Sequence, residues 1–117
     1  MPAVLDGDAG LHTLEDAHGQ LGFTYAELAN VLGVDESTIH RWRNHDSSPR
    51  PLARARLVQL RETMDLLRRV FAGRKLAREW IRDKRPEGLE GDTPFEVMRN
   101  GRIDRVLMLL HYLARGG

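Results

Sequence analysis

Residues Thr24 to Asn44 read TYAELANVLGVDESTIHRWRN, and capping chemistry alone divides them into two helices and a turn. Thr24 followed three positions later by Glu27 is a capping box. The hydroxyl accepts from an orphan backbone N–H at the helix start, and the carboxylate answers the reverse donor. A helix is expected from Tyr25, with Leu28, Ala29 and Leu32 as its inward stripe. Gly33 stands where the chain must turn left-handed to end that helix, a conformation a Cβ would strain. Beyond Val34, Asp35 or Ser37 can cap a second helix, whose Ile39 and Trp42 lie one turn apart and face the first. Asp35, Glu36, Ser37, His40, Arg41 and Asn44 remain on the outer face. Two helices bent around one glycine make either a helix-turn-helix or a plain packed helical hairpin.

The chain on both sides of this stretch is helical in pattern. Residues 1–10 are rich in Gly and Asp and are expected to be mobile, and Leu11–Gln20 forms a short helix with Leu11, Leu14 and Leu21 at helical spacing. NHDSSPRP (44–51) gathers breakers, with Pro49 and Pro51 in a linker or at a helix start. From Leu52 to about Ala72 the residues Leu57, Leu60, Met64, Leu67, Val70 and Phe71 recur at three- and four-residue spacing, which predicts one long amphipathic helix. Gly73 ends it. Leu76–Asp83 forms another helix with Ala77, Trp80 and Ile81 inward, Trp80 between the long and terminal helices. A Gly- and Pro-rich loop, KRPEGLEGD, follows. Thr93-Pro94-Phe95-Glu96 is a second capping box with Pro in the first helical position, and Gly101 stops that helix. Ile103–Ala114 is apolar around much of its circumference, which places it centrally in the core or against a partner. No run alternates as a half-buried strand does, so the fold class is all-α.

Composition excludes several functions. The 117 residues contain no cysteine, which removes disulfides and thiolate metal sites. Neither a signal-like start nor a membrane-length apolar run is visible, and the expected location is the cytoplasm. Net charge is only +1, but its distribution is uneven. Residues 1–20 hold four acids and no Lys or Arg, whereas Arg41 to Arg85 holds fourteen Lys or Arg against five acids, an asymmetry suited to a polyanion or to solvated helix faces. His12, His18, His40, His45 and His111 have no metal-ligand spacing. No glycine loop follows a strand, and Ser37, Ser47 and Ser48 sit at cap and linker positions. Neither catalysis, a cofactor nor a metal is expected.

The order of Ala29, Gly33, Ile39 and Trp42 resembles the helix-turn-helix of Xre-type repressors, with VDESTIHRW similar to their turn and recognition helix. The resemblance implies that the outer side of the second helix enters the major groove of operator DNA. Ser37, Arg41 and Asn44 would then be base readers, with Thr38, His40 and Arg43 beside them; Arg pairs with guanine and Asn with adenine. Thr24, Tyr25 and the free N–H groups of the first helix would meet phosphate. Asp35 and Glu36 oppose this by repelling phosphate unless they cap or accept from cytosine.

The second half resembles the toxin-binding domain of Xre/MbcA/ParS antitoxins. Phe71, Ala77, Trp80, Pro86, Leu89, Gly91, Thr93-Pro94, Gly101, Val106, Leu110 and Gly116 carry the likeness, which with the helix-turn-helix covers about Leu11 to Gly117. Lys84 and Arg85 and a longer polar loop at 87–92 depart from the pattern. The resemblance implies a type II antitoxin that is itself no enzyme. Its partner would be a RES-domain toxin that degrades NAD, and it would repress the shared operon. The implied organisation is a flexible segment 1–10, an Xre-like helix-turn-helix at 11–58 and a toxin-binding helical domain at 59–117. The chain would act as a homodimer or as a higher hetero-oligomer with the toxin, away from membranes. Toxin contacts are expected at Arg102, Arg105, His111, Tyr112, Arg115, Gly116 and Gly117, with the last helix and a basic tail as a plug; the Arg115 fork pairs well with carboxylates. The alternative is a protein-interaction module or simple transcriptional regulator with no toxin partner.

Overall fold

A computed structural model describes residues 7–116. Over this span the protein is all-α, with helices α1 (Gly7–Leu21), α2 (Tyr25–Leu32), α3 (Glu36–Arg43), α4 (Pro51–Val70), α5 (Arg74–Asp83), α6 (Pro94–Arg99) and α7 (Ile103–Ala114). Both capping boxes form: Thr24 accepts from the Glu27 N–H, Thr93 accepts from the Glu96 N–H, and each glutamate returns the bond. Gly33 has φ +72° and ends α2. Asp35 occupies the N-cap of α3, but neither its side chain nor that of Ser37 bonds a backbone donor there. The first helix begins four residues earlier than periodicity suggests. Residues 7–10, expected to be mobile, are its first turn, and residues 1–6 lie outside the described span. Gly10 explains the extension, because a Cβ on it would meet Leu57 Cδ1 at 3.3 Å, so α1 crosses α4 closely where the side chain is missing.

One continuous apolar cluster runs from Leu14 to Leu110. Leu28, Ala29 and Leu32 of α2, Ile39 and Trp42 of α3, and Leu57, Leu60, Met64 and Leu67 of α4 are all buried. The division expected at 58/59 falls inside α4, which packs on α1 and α2 as well as on α5 and α7. The His111 ring bonds Glu62 at 2.7 Å, while the Arg56 guanidinium lies close to both Gly33 and Gly101. The α4 helix is therefore the strut that holds the α2–α3 turn and the start of α7 together. Trp80 is buried, its ring 5.4 Å from that of Phe71. The expectation that it would lie between the long and terminal helices holds only on the α4 side, since α5 packs chiefly on α1, α4 and α6.

Much of the basic middle of the chain is consumed internally. Arg61 and Arg68 converge on Asp16, at 2.8 and 3.9 Å, and Arg78 donates to the carbonyls of Gln20 and Gly19 at 2.6 and 2.9 Å, where the C-terminal end of α1 favours a cation. Arg82 makes the densest set of contacts. Its fork meets both carboxylate oxygens of Glu27 at 2.8 Å, and its guanidinium lies over the rings of Phe23 and Phe95, 4.9 and 4.3 Å from their centroids.

Two outcomes are expected. Trp80→Ala should cost about 3–5 kcal/mol in urea unfolding, a large part of the roughly 5–15 kcal/mol a domain possesses; an unchanged midpoint would mean that the ring is not packed. The Arg82 hydrogen bonds hold the Glu27 carboxyl at a pKa of about 2, below its ordinary 4.5. A depressed acid stabilises the fold fully above its unfolded pKa and loses that contribution as pH falls through the folded one. Glu27→Gln should accordingly be about 1–2 kcal/mol less stable near neutrality, allowing for the partial exposure of the pair. The deficit should vanish between about pH 4.5 and 2; a deficit independent of pH would show that the ion pair contributes nothing.

Candidate functional site

The residues singled out on α2 and α3 separate into two groups. Ser37, His40, Arg41 and Asn44 are exposed on one side of α3, opposite the buried Ile39 and Trp42, and Thr38 flanks them half-buried. His40 stands 3.5 Å from Glu36 on the same helix. Arg41 donates to the Thr38 hydroxyl at 3.0 Å. The second group turns toward α1. Arg43 lies 3.6 Å from Glu15 and 4.4 Å from the Tyr25 ring centroid. Tyr25 donates its hydroxyl to Glu15 and stacks on His18 at 4.3 Å, while His18 Nδ1–H donates to the Phe23 carbonyl at 2.8 Å. Burial, then the bond to Glu15, raises the Tyr25 pKa above 10.0. Thr24 is already engaged in its capping box. Thus Thr24 is spent on capping α2, and Tyr25 and Arg43 fasten α2 and α3 to α1. On the outer side of α3, Ser37 and Asn44 project with Arg41, bonded only within its helix, and His40, whose ring also lies 6.1 Å from that of Tyr25.

A second surface lies on α7. Ile103, Val106 and Leu110 are buried, and the opposite side carries Met108, 71% exposed, and Tyr112, 52% exposed, with Arg115 one turn beyond. Arg102 forks onto Asp104 at 3.1 Å through two nitrogens and holds that carboxyl below its ordinary range. Arg105 donates to the Gly88 carbonyl at 2.9 Å and reaches Glu90 at 3.3 Å, so it ties the 84–93 loop to α7. His111 is engaged by Glu62. Of the residues expected to meet a toxin, Arg105 and His111 are thus engaged with other parts of the fold and Arg102 with Asp104 two residues on, all three at exposed or partly exposed positions. Tyr112 and Arg115 project without an ion pair among the described residues, Gly116 is exposed, and Gly117 lies outside the described residues. Met108 is an addition from the structure. Its only trace in the sequence is that α7 is apolar on more sides than one core can cover.

Among the described residues no three His, Asp or Glu converge as a metal site would require, and no helix is long and apolar enough to cross a membrane.

No protein-family model matches the chain. It is 30% identical over 104 residues to the mycobacterial cidal antitoxin MbcA of Mycobacterium tuberculosis and of Mycobacterium bovis, covering 89% of this chain and 90% of those proteins. A chain in the crystal structure of the M. tuberculosis MbcT–MbcA toxin–antitoxin complex superposes with a TM-score of 0.65 at 30% identity, over 89% of this chain and 92% of that one.

Proposed function

The chain belongs to the MbcA antitoxin family, and from that premise we propose that it neutralises a cognate toxin through α7 and represses its own operon through α3. The observation that carries this reading is the match along nine-tenths of the chain to a protein crystallised with its toxin. The outward Met108, Tyr112 and Arg115 support it, because aromatic and Arg anchors around an apolar centre are the side chains that dominate protein interfaces. The landmarks Trp80, Pro86, Thr93-Pro94 and Gly101 favour a RES-domain, NAD-degrading toxin as that partner. In this reading Arg115 lies at the margin of the covered catalytic site, where its fork can pair with carboxylates. The free face of α3 supports the operator reading, with Ser37 and Asn44 foremost at the groove floor and two copies spanning half-sites about one helical turn apart. Both roles are those of a cytoplasmic protein.

The two surfaces are separable by mutation. Met108→Lys with Tyr112→Ala changes only exposed positions and should weaken toxin binding by about thirtyfold or more, leaving the toxin active and operator affinity as in the parent. Arg41→Ala with Asn44→Ala should lower operator affinity at least about tenfold and leave neutralisation intact. Operator affinity and residual toxin activity are measured on the same two proteins. If the α7 variant still silences the toxin, the inhibitory surface lies elsewhere, around Trp80 and the loop before Pro94; if the α3 variant still binds its operator, α3 is not the reader.

A further inference from the structure

A cleft of about 600 Å³ opens beside α3, between the end of α2, the 44–50 segment and the start of α4. Arg41 and Arg50, with Thr38, Ser47 and Ser48, are among the residues that line it. Asp35 is the one carboxylate in its wall, at the opposite end of α3 from the 44–50 segment. Neither arginine has an ion pair among the described residues, whereas Arg61, Arg68 and Arg82 each meet an acid. The bond from Arg41 to Thr38 runs back along α3, so the fork is drawn toward the cleft side of the helix rather than straight out from its axis.

The segment between the two arginines is held in a conformation that suits glycine. His45 has φ +63°. Its N–H donates to the Trp42 carbonyl at 3.1 Å, and the next N–H, of Asp46, donates to the Arg41 carbonyl at 2.8 Å, the pattern in which a helix ends on a left-handed residue. Glycine adopts that conformation freely and a β-carbon strains it. The His45 side chain is exposed and has no hydrogen bond, ion pair or ring contact among the described residues, so no contact within the fold accounts for histidine there. The left-handed conformation costs histidine less than most residues but more than glycine, so the position carries a side chain that the fold itself does not use.

We propose that residues 41–50 are a DNA backbone clamp, in which Arg41, Arg50, Ser47 and Ser48 take phosphate oxygens in the cleft and the exposed His45, in the turn that leads into Ser47, adds a contact beside it. The inference rests on the operator reading of α3 and changes one assignment within it: Arg41 moves from base to backbone, leaving Ser37, His40 and Asn44 to the base edges. Two forked cations with hydroxyl donors between them match the geometry and charge of a phosphodiester. Such contacts set affinity and register and carry no sequence information of their own.

The test compares the full-length parent with Arg41→Ala, Arg50→Ala and His45→Gly on two duplexes of equal length, one from upstream of the protein's own reading frame and one random, between about 50 and 200 mM salt. Arg41→Ala and Arg50→Ala should each weaken both duplexes by the same factor and flatten the slope of log affinity against log salt by about 0.9. His45→Gly should melt higher than the parent while binding both duplexes more weakly. An Arg41→Ala protein that loses affinity for the upstream duplex alone, with its salt slope intact, overturns the clamp and returns Arg41 to a base. A His45→Gly protein that melts no higher, or binds as the parent does, overturns the part given to the histidine. A parent that binds neither duplex overturns the operator reading itself, an outcome distinct from failure of the clamp in a protein that does bind DNA.

Discussion

The ion pair between Glu27 and Arg82 is the constraint on which the arrangement of this protein turns. Glu27 belongs to the capping box that starts α2, and Arg82 lies in the last turn of α5, 55 residues away in sequence. The same carboxylate therefore satisfies an orphan N–H of Thr24 at 2.9 Å and receives the fork of a distant helix. Because the guanidinium lies over both Phe23 and Phe95, its charge is placed on two π faces while its planar body fills the space between the α1–α2 connection and α6. Loss of this one side chain would deprive a helix cap, an ion pair and an aromatic contact of their common partner.

Arginine chemistry also resolves the uneven charge of the sequence. An acidic start followed by a strongly basic middle suggests attraction to an external polyanion. In the folded chain the first acceptor of that charge is the protein's own first helix: Asp16 with Arg61 and Arg68, and the terminal carbonyls of α1 with Arg78. Arg41, Arg50, Arg69, Arg74, Lys75 and Lys84 are exposed and carry no ion pair among the described residues, so the charge left over is spread over α3, the segment after it and the ends of α4 and α5. Exposed ion pairs of this sort contribute little stability singly, but they orient helices whose apolar stripes alone would tolerate several crossing angles.

Features set by near neighbours in the chain were legible from residue order. Thr24 with Glu27, Thr93-Pro94 with Glu96, the left-handed Gly33 and the inward Ile39 and Trp42 each follow from a local rule, and each forms as expected. The start of α1 was not legible, because Gly10 weakens a helix by propensity and is tolerated only where Leu57 approaches it. Nor was the allocation of charged side chains. Sequence places Arg43 in the second helix of the motif and Arg105 and His111 in the last helix, yet which of them is free depends on Glu15, Glu90 and Glu62, brought near by folding. Periodicity likewise marks α7 as apolar on several sides without telling which side α4 covers, so Met108 could not be separated from Val106 or Leu110.

The position of α4 bears on how such a protein can change through descent. A chain made of two modules joined by a linker can exchange one of them by recombination and keep the other. Here any crossover near residue 58 would cut through a helix whose flanks pack on α1 and α2 in one direction and on α7 in the other, and would also part Glu27 from Arg82. The face on α3 and the face on α7 must then be inherited together, and novelty at either has to come by substitution on the exposed side of a helix whose buried side is already committed.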